Sequence, residues 1–280
     1  MTNLTNGELY TMLLHRLRKD RKGSISPEEF ESFLKWRNLD YFNKALRKEG
    51  ATQLVDASLA PFVVLQDVQV IYSSLYEYYI ILYNSNSSNP PTDPPLKFTS
   101  YDVAKIINIW WTDSLTNFSS KIRVDLLTYS EWSDRINNAI TGPSNDYPIA
   151  YLGGEFSVAG VPNAYYFDTL WLKGGTGFAS GYIILDYYKY PAEPYFDYYT
   201  DSSGNITYLT DGQAAYTLLT DEQSRDGKIA GQAVTSTSQD LEWDDEDALV
   251  ILDMIVSDVS IALSDPNSFQ ASLLERKDNA

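Results

Sequence analysis

No cysteine occurs among the 280 residues, so no disulfide framework, thiol nucleophile or cysteine-ligated zinc site can form. That fits folding in a reducing cytoplasm. Histidine occurs once, as His15. A Ser-His-Asp arrangement would have to use it, yet it sits among arginines in a predicted amphipathic helix, and histidine-rich metal sites are impossible. Long apolar runs are missing too. The richest stretch, residues 75–83, has the length of a strand, so no membrane span is expected. The opening Met1-Thr2-Asn3-Leu4-Thr5-Asn6-Gly7-Glu8 lacks a basic region followed by an apolar stretch, so no signal peptide is expected. Cations are scarce: 21 Lys and Arg face 38 Asp and Glu, a formal net charge of −17. Such a surface repels nucleic acid and anionic membranes, and no sequence-specific nucleic-acid partner is expected. The one basic cluster, His15-Arg16-Leu17-Arg18-Lys19-Asp20-Arg21-Lys22, reads as a solvated helix end favoured by the helix dipole, or as a contact to an acidic neighbouring subunit.

What the sequence does contain is enough apolar residue, 44%, for a folded chain with a sizeable core. It also holds 22 tyrosines. A tyrosine offers an apolar face and a polar tip, which suits a surface that is wet alone and buried in a complex; it also favours strands. Both uses stay open.

Periodicity predicts three regions. In residues 1–55, Leu9, Leu13 and Leu17 recur at helical spacing, with Met12 on the same face. Ser26-Pro27-Glu28-Glu29 then marks a second helix: a serine cap, proline in the first turn and a carboxylate three residues after the cap. Phe30, Phe33, Leu34, Tyr41 and Ala45 give it an apolar stripe and Gly50 closes it. Residues 56–240 form a β-rich region with one short helix. Strands are predicted at 62–65, 68–71, 101–111, 121–127, 149–158, 165–172 and 181–190, with 75–83 open between strand and helix. A short helix spans 130–140, residues 84–95 read as a loop or linker, a hairpin turns across 201–205, and 212–238 read as an exposed loop. Residues 241–280 return to helix, with an acidic first turn at Asp244-Asp245-Glu246-Asp247 and a last helix starting at Asp265-Pro266. The fold expected is α+β: helices at both chain ends packed as a bundle, with an inserted antiparallel β domain.

No motif singles out chemistry. Asp20-Arg21-Lys22-Gly23-Ser24-Ile25-Ser26-Pro27-Glu28-Glu29 resembles the second half of an EF-hand loop, but Arg18 and Lys22 stand where carboxylates must neutralise calcium. A capped helix start explains the same residues. The carboxylates of Asp244 to Asp247 point in different directions around one helical turn and so seldom converge on one ion. Gly153-Gly154 and Gly174-Gly175-Thr176-Gly177 lack the following Gly-Lys-Ser/Thr of a phosphate loop and read as turns. No catalytic, cofactor-binding or metal-ligating residue is assigned, and no cofactor is expected. Paired carboxylates and stacking aromatics are abundant, so carbohydrate binding or hydrolysis stands as the alternative.

One succession of segments is distinctive. Lys22-Gly23-Ser24-Ile25-Ser26-Pro27-Glu28-Glu29-Phe30 leads to Asn38-Leu39-Asp40-Tyr41-Phe42, then to Ser58-Leu59-Ala60-Pro61-Phe62 and Tyr147-Pro148-Ile149-Ala150. Ile184-Leu185-Asp186-Tyr187-Tyr188-Lys189-Tyr190-Pro191-Ala192-Glu193-Pro194 follows, and Leu241-Glu242-Trp243 precedes an apolar helix. This order resembles a family of structural proteins from tailed phages of Bacteroidetes hosts, the crAss-like phages included. The resemblance implies a ring or adaptor protein of the head–tail connector, helical at both ends with a β insertion and without catalytic residues. It implies a homo-oligomeric ring of about a dozen copies beneath the portal, portal and other neck or tail proteins as partners, a lumen through which DNA can pass, and a place in the virion after synthesis in the host cytoplasm. Residues 210–238 and 84–95 have no counterpart in that pattern.

Overall fold

The computed structural model describes residues 4–19, 25–52, 57–70, 72–74, 77–81, 103–114, 121–136, 138, 140–153, 169–174, 178, 181–210 and 215–264. The predicted linker at 84–95 and the helix expected from Asp265 lie outside them, as do residues 20–24 of the EF-hand-like segment. The fold is α+β: the described residues form four α-helices and sheets whose pairings are antiparallel apart from one. The chain divides into two compact units, one comprising Met1–Pro61 with Pro191–Ala280 and the other Phe62–Tyr190. The sequence pattern sets its boundaries near 55 and 240. The observed division instead groups residues 191–240 with the helices, because their hydrogen bonds run to helical side chains.

In the first unit, α1 (Asn6–Lys19) buries Leu9, Leu13 and Leu17 on its predicted face. Its start is a capping box: the Thr5 N–H donates to Glu8 Oε2 at 2.8 Å and the Glu8 N–H to Thr5 Oγ1 at 3.2 Å. The second helix, α2 (Pro27–Thr52), opens the same way on Ser26 and Glu29. It buries Phe30, Leu34 and Ala45 as expected, and Phe42 besides. It also runs two residues past Gly50, the expected stop. Tyr10, Phe30 and Phe196 form a ring triad with centroids 5.3–5.8 Å apart. The last described helix, α4 (Asp245–Ser264), is capped by Asp244, whose carboxylate accepts the Asp247 N–H at 2.9 Å. Trp243, just before it, donates its indole N–H to Asn38 of α2 at 2.6 Å, and the amide of Asn38 donates to the Ala192 carbonyl. Arg37 of α2 grips Asp258 of α4 through two nitrogens.

Short strands complete this unit: β10 (Tyr198–Thr200), β11 (Ile206–Tyr208), β12 (Tyr216–Thr217), β13 (Gln223–Ser224) and β14 (Ala233–Val234). The expected hairpin forms between β10 and β11. Asp201 holds its turn by accepting the Ser203 and Asn205 N–H groups, and Gly204 takes the left-handed conformation that a side chain would resist. The expectation of a loop over 212–238 is corrected. Within it β13 pairs with β10 and β12 with β14, and Leu218 and Val234 pack with Leu209 in a small core of their own.

The second unit holds β1 (Val63–Val70), β2 (Tyr72–Ser74), β3 (Glu77–Ile81), β4 (Val103–Thr112), β5 (Ile122–Arg123), β6 (Asp125–Leu127), α3 (Tyr129–Ile136), β7 (Ile149–Gly153), β8 (Thr169–Lys173) and β9 (Tyr182–Lys189). One sheet has the order β1-β9-β4-β5 and the other β2-β3-β8-β7-β6. One residue separates β1 from β2, and one separates β5 from β6. The two sheets share one core, which takes Ile109, Trp111, Ile183, Leu185 and Tyr187 from the first sheet and Ala150, Leu170 and Leu172 from the second. The strands expected at 62–65 and 68–71 are one bulged strand, β1, with its register shifting between Val64 and Asp67 and Gln66 at a φ of 57°. Residues 77–81 of the open 75–83 stretch are strand. Gly153 ends β7 as a strand residue, not a turn, and a Cβ there would meet the Trp171 indole at 2.3 Å.

Candidate interaction surface

Side chains that the sequence made conspicuous are engaged within the fold. Glu29 is spent on its helix cap. Of the acidic run before α4, Asp244 caps the helix, Asp245 accepts the Leu4 N–H at 2.8 Å, and Asp247 accepts the Tyr41 and Ser58 hydroxyls. The carboxylates serve separate partners, as their spacing around one turn demands. No group of three acidic, histidine or cysteine side chains is gathered closely enough to hold a metal ion among the described residues. His15 is exposed on α1, and its neighbour Arg16 pairs with Asp253 of α4.

A buried ionic cluster was not foreseen. Glu31 of α2 is only 5% exposed. It accepts the Phe196 N–H at 3.0 Å, a guanidinium hydrogen bond from Arg225, and Lys35 at 2.9 Å. Burial by itself would raise the Glu31 pKa, but the hydrogen bonds from Arg225, Lys35 and the Phe196 N–H outweigh it and hold the carboxyl below its ordinary value. Arg225 also lies over the Tyr195 ring at 4.5 Å. Beside it, burial and the Glu28 carboxylate push the Tyr198 phenol up to about 12, so it remains a donor. Every cation here has a carboxylate partner in the same chain. The cluster ties residues 191–240 to α2. Nothing local in the sequence marks it, since Glu31 and Arg225 are 194 residues apart.

The described tyrosines differ in their surroundings. Tyr10, Tyr187 and Tyr188 are buried. Tyr10, Tyr41, Tyr198, Tyr208 and Tyr216 spend their hydroxyls on internal acceptors. Others face solvent: Tyr129, Tyr147 and Tyr190 are exposed. Among the described residues, the stretch from β6 to β7 exposes Leu126, Tyr129, Ile140, Tyr147 and Leu152, with Ile140 94% and Tyr129 70% exposed. Here α3 packs on β6 and β7, and Tyr129 and Trp132 of α3 meet Tyr151 of β7 at ring distances of 5.6 and 4.7 Å. Tyr151 in turn lies nearly parallel to its cross-strand neighbour Trp171. The five exposed apolar side chains from Leu126 to Leu152 fall within one stretch of 27 residues, which makes it a candidate contact surface.

No protein-family model matches the chain, and no curated protein matches it in sequence. No helix among the described residues is long and apolar enough to cross a membrane.

Proposed function

We propose that the chain is a virion structural protein that forms a ring in the head–tail connector of a tailed phage and joins portal to tail. The observation that carries this reading is the exposed apolar face between β6 and β7, on a chain whose described carboxylates and cations are largely committed to caps and internal pairs. Such a molecule is built to bind other subunits and not to turn over a substrate. Ring closure requires head-to-tail contacts between two different faces of the same chain. In this reading α1, α2 and α4 pack as a bundle, and the β unit supplies a contact face. No cofactor or metal takes part.

Light scattering across a range of concentrations, alone and with the portal protein of the same phage, tests the proposal. A discrete multimer of about a dozen copies, alone or templated by portal, is expected. A chain that stays monomeric with portal present and instead binds on a glycan array overturns it. That outcome favours the carbohydrate reading, for which the ring layer of Tyr129, Tyr151 and Trp171 is the site to mutate.

A further inference from the structure

The two sheets of the β unit part where β4 and β6 diverge. β4 is ten residues long, yet β5 pairs with it only at Trp110↔Arg123 and Trp111↔Ile122. One more bond follows, from the Val124 N–H to the Ile109 carbonyl at 2.9 Å, and then the strands part. Continuing that register would set Asn108 opposite Asp125, Ile107 opposite Leu126 and Ile106 opposite Leu127. Those residues instead line a cavity of about 300 Å³, bounded by residues 106–109 on one side and 123–127 on the other.

Two features hold the gap open. Ile107 is the extra residue of a bulge: Ile106 pairs with Tyr187 and Asn108 with Asp186, so Ile107 has no partner on β9. Bulges twist a strand and terminate pairing. On the other side, Asp125, Leu126 and Leu127 are held by β7 in the one parallel pairing among the described residues. Asp186 braces the bulged region, accepting the Asn108 amide at 3.2 Å and the Gln66 N–H of the β1 bulge at 2.9 Å. Both β4 and β6 thus turn a backbone edge toward the same space. Flanking it are two exposed apolar side chains, Ile107 and Leu126. Its charged groups are unequal. Asp125 is neutralised by Arg135 at 3.1 Å, whereas Arg123 is exposed and has no ionic partner among the described residues.

We propose that this gap is a strand-acceptor site. A short extended segment of a partner protein, apolar at alternate positions and bearing a carboxylate that faces Arg123, enters between β4 and β6 and hydrogen-bonds to their edges. The occupant follows from the lining. Open backbone edges recognise backbone, alternate side chains of an extended chain meet Ile107 and Leu126, and the one unneutralised cation selects an acid. A cavity at the lower end of the ligand-pocket range, roughly 300–1,000 Å³, holds only a few residues, so the contact is a short clip. The site does not rest on the connector reading.

The test uses the full chain and a fluorescein-labelled probe peptide, Thr-Ile-Glu-Val-Thr-Val, followed by anisotropy. Binding at or below ~1 mM is expected. Methylating alternate backbone nitrogens of the probe should weaken it about tenfold, because the edge loses its donors. Arg123→Glu, at an exposed position, should reject the probe and prefer one with lysine in place of glutamate. No binding at that concentration, binding indifferent to N-methylation, or an Arg123→Glu chain that keeps its preference for the acidic probe would each overturn the proposal. Because the readout is peptide binding by the isolated chain, it can fail while the ring reading stands, and the reverse.

Discussion

Glu31 lies on the inward side of α2, and three donors converge on its carboxylate, from Arg225, Lys35 and the Phe196 backbone. Replacing it by glutamine keeps an acceptor for Phe196 but leaves the half-buried Arg225 without its counter-charge. The expected cost is about 2 kcal/mol in urea unfolding, on the scale of a lost charge-assisted hydrogen bond in a partly buried site. The sign of the pH dependence follows from the direction of the shift. Glu31 has a depressed pKa in the fold, so its contribution is complete above the ordinary carboxylate value of 4.5 and fades as pH falls through the depressed one. Between about pH 7 and pH 3 the native chain should therefore lose more stability than Glu31→Gln, and their urea midpoints should converge in acid. Midpoints that stay equally far apart down to acid pH would show that Glu31 acts through packing and not charge.

At the level of elements, the local rules are visible wherever they are local. Thr5 and Glu8, Ser26 and Glu29, and Thr128 and Glu131 all make the same reciprocal cap, so three of the four described helices begin on a Ser/Thr followed three residues later by Glu. The sequence reading used only the Ser26 pair; the other two were equally readable. α4 begins differently, on Asp244 alone. Asp244→Ala should cost about 1 kcal/mol and lower the melting temperature with no change in helix content at low temperature, as followed by circular dichroism. The α2 stripe, the long strands β4 and β9 and the Asp201 turn were legible because periodicity or turn chemistry encodes them within a few residues. The strands of residues 212–238 were not, because each is two residues long and too short to show a period of two. Nor was the unzipping of β4 from β6 legible. It depends on which neighbour captures Asp125–Leu127, a choice made by the β7 strand more than twenty residues away. The candidate contact face falls between these cases. Composition leaves all 22 tyrosines open to contact or strand use, and the fold leaves Tyr129 and Tyr147 of this stretch exposed.

For the whole molecule, the proposed self-association would be set by two opposed terms. Copies with a net charge of −17 repel one another, while Ile140 and Tyr147, 94% and 67% exposed, gain by leaving water. Repulsion between like-charged copies is long-ranged and screened by salt, with a Debye length that falls from about 30 Å at 0.01 M to about 8 Å at 0.15 M. Apolar contact is short-ranged and indifferent to that change. Sedimentation of the native chain should accordingly show association strengthening as salt rises over this interval. Ile140→Ser combined with Tyr147→Ser should remove it at both salt concentrations while leaving the urea midpoint within about 0.5 kcal/mol of native stability, since neither side chain is in the core. The opposite salt response, association that weakens as ions are added, would mean that complementary charges and not the apolar face hold the copies together. The basic end of α1 around Arg16, set against an acidic neighbour, would then be the contact to mutate, because apolar burial alone cannot produce that sign.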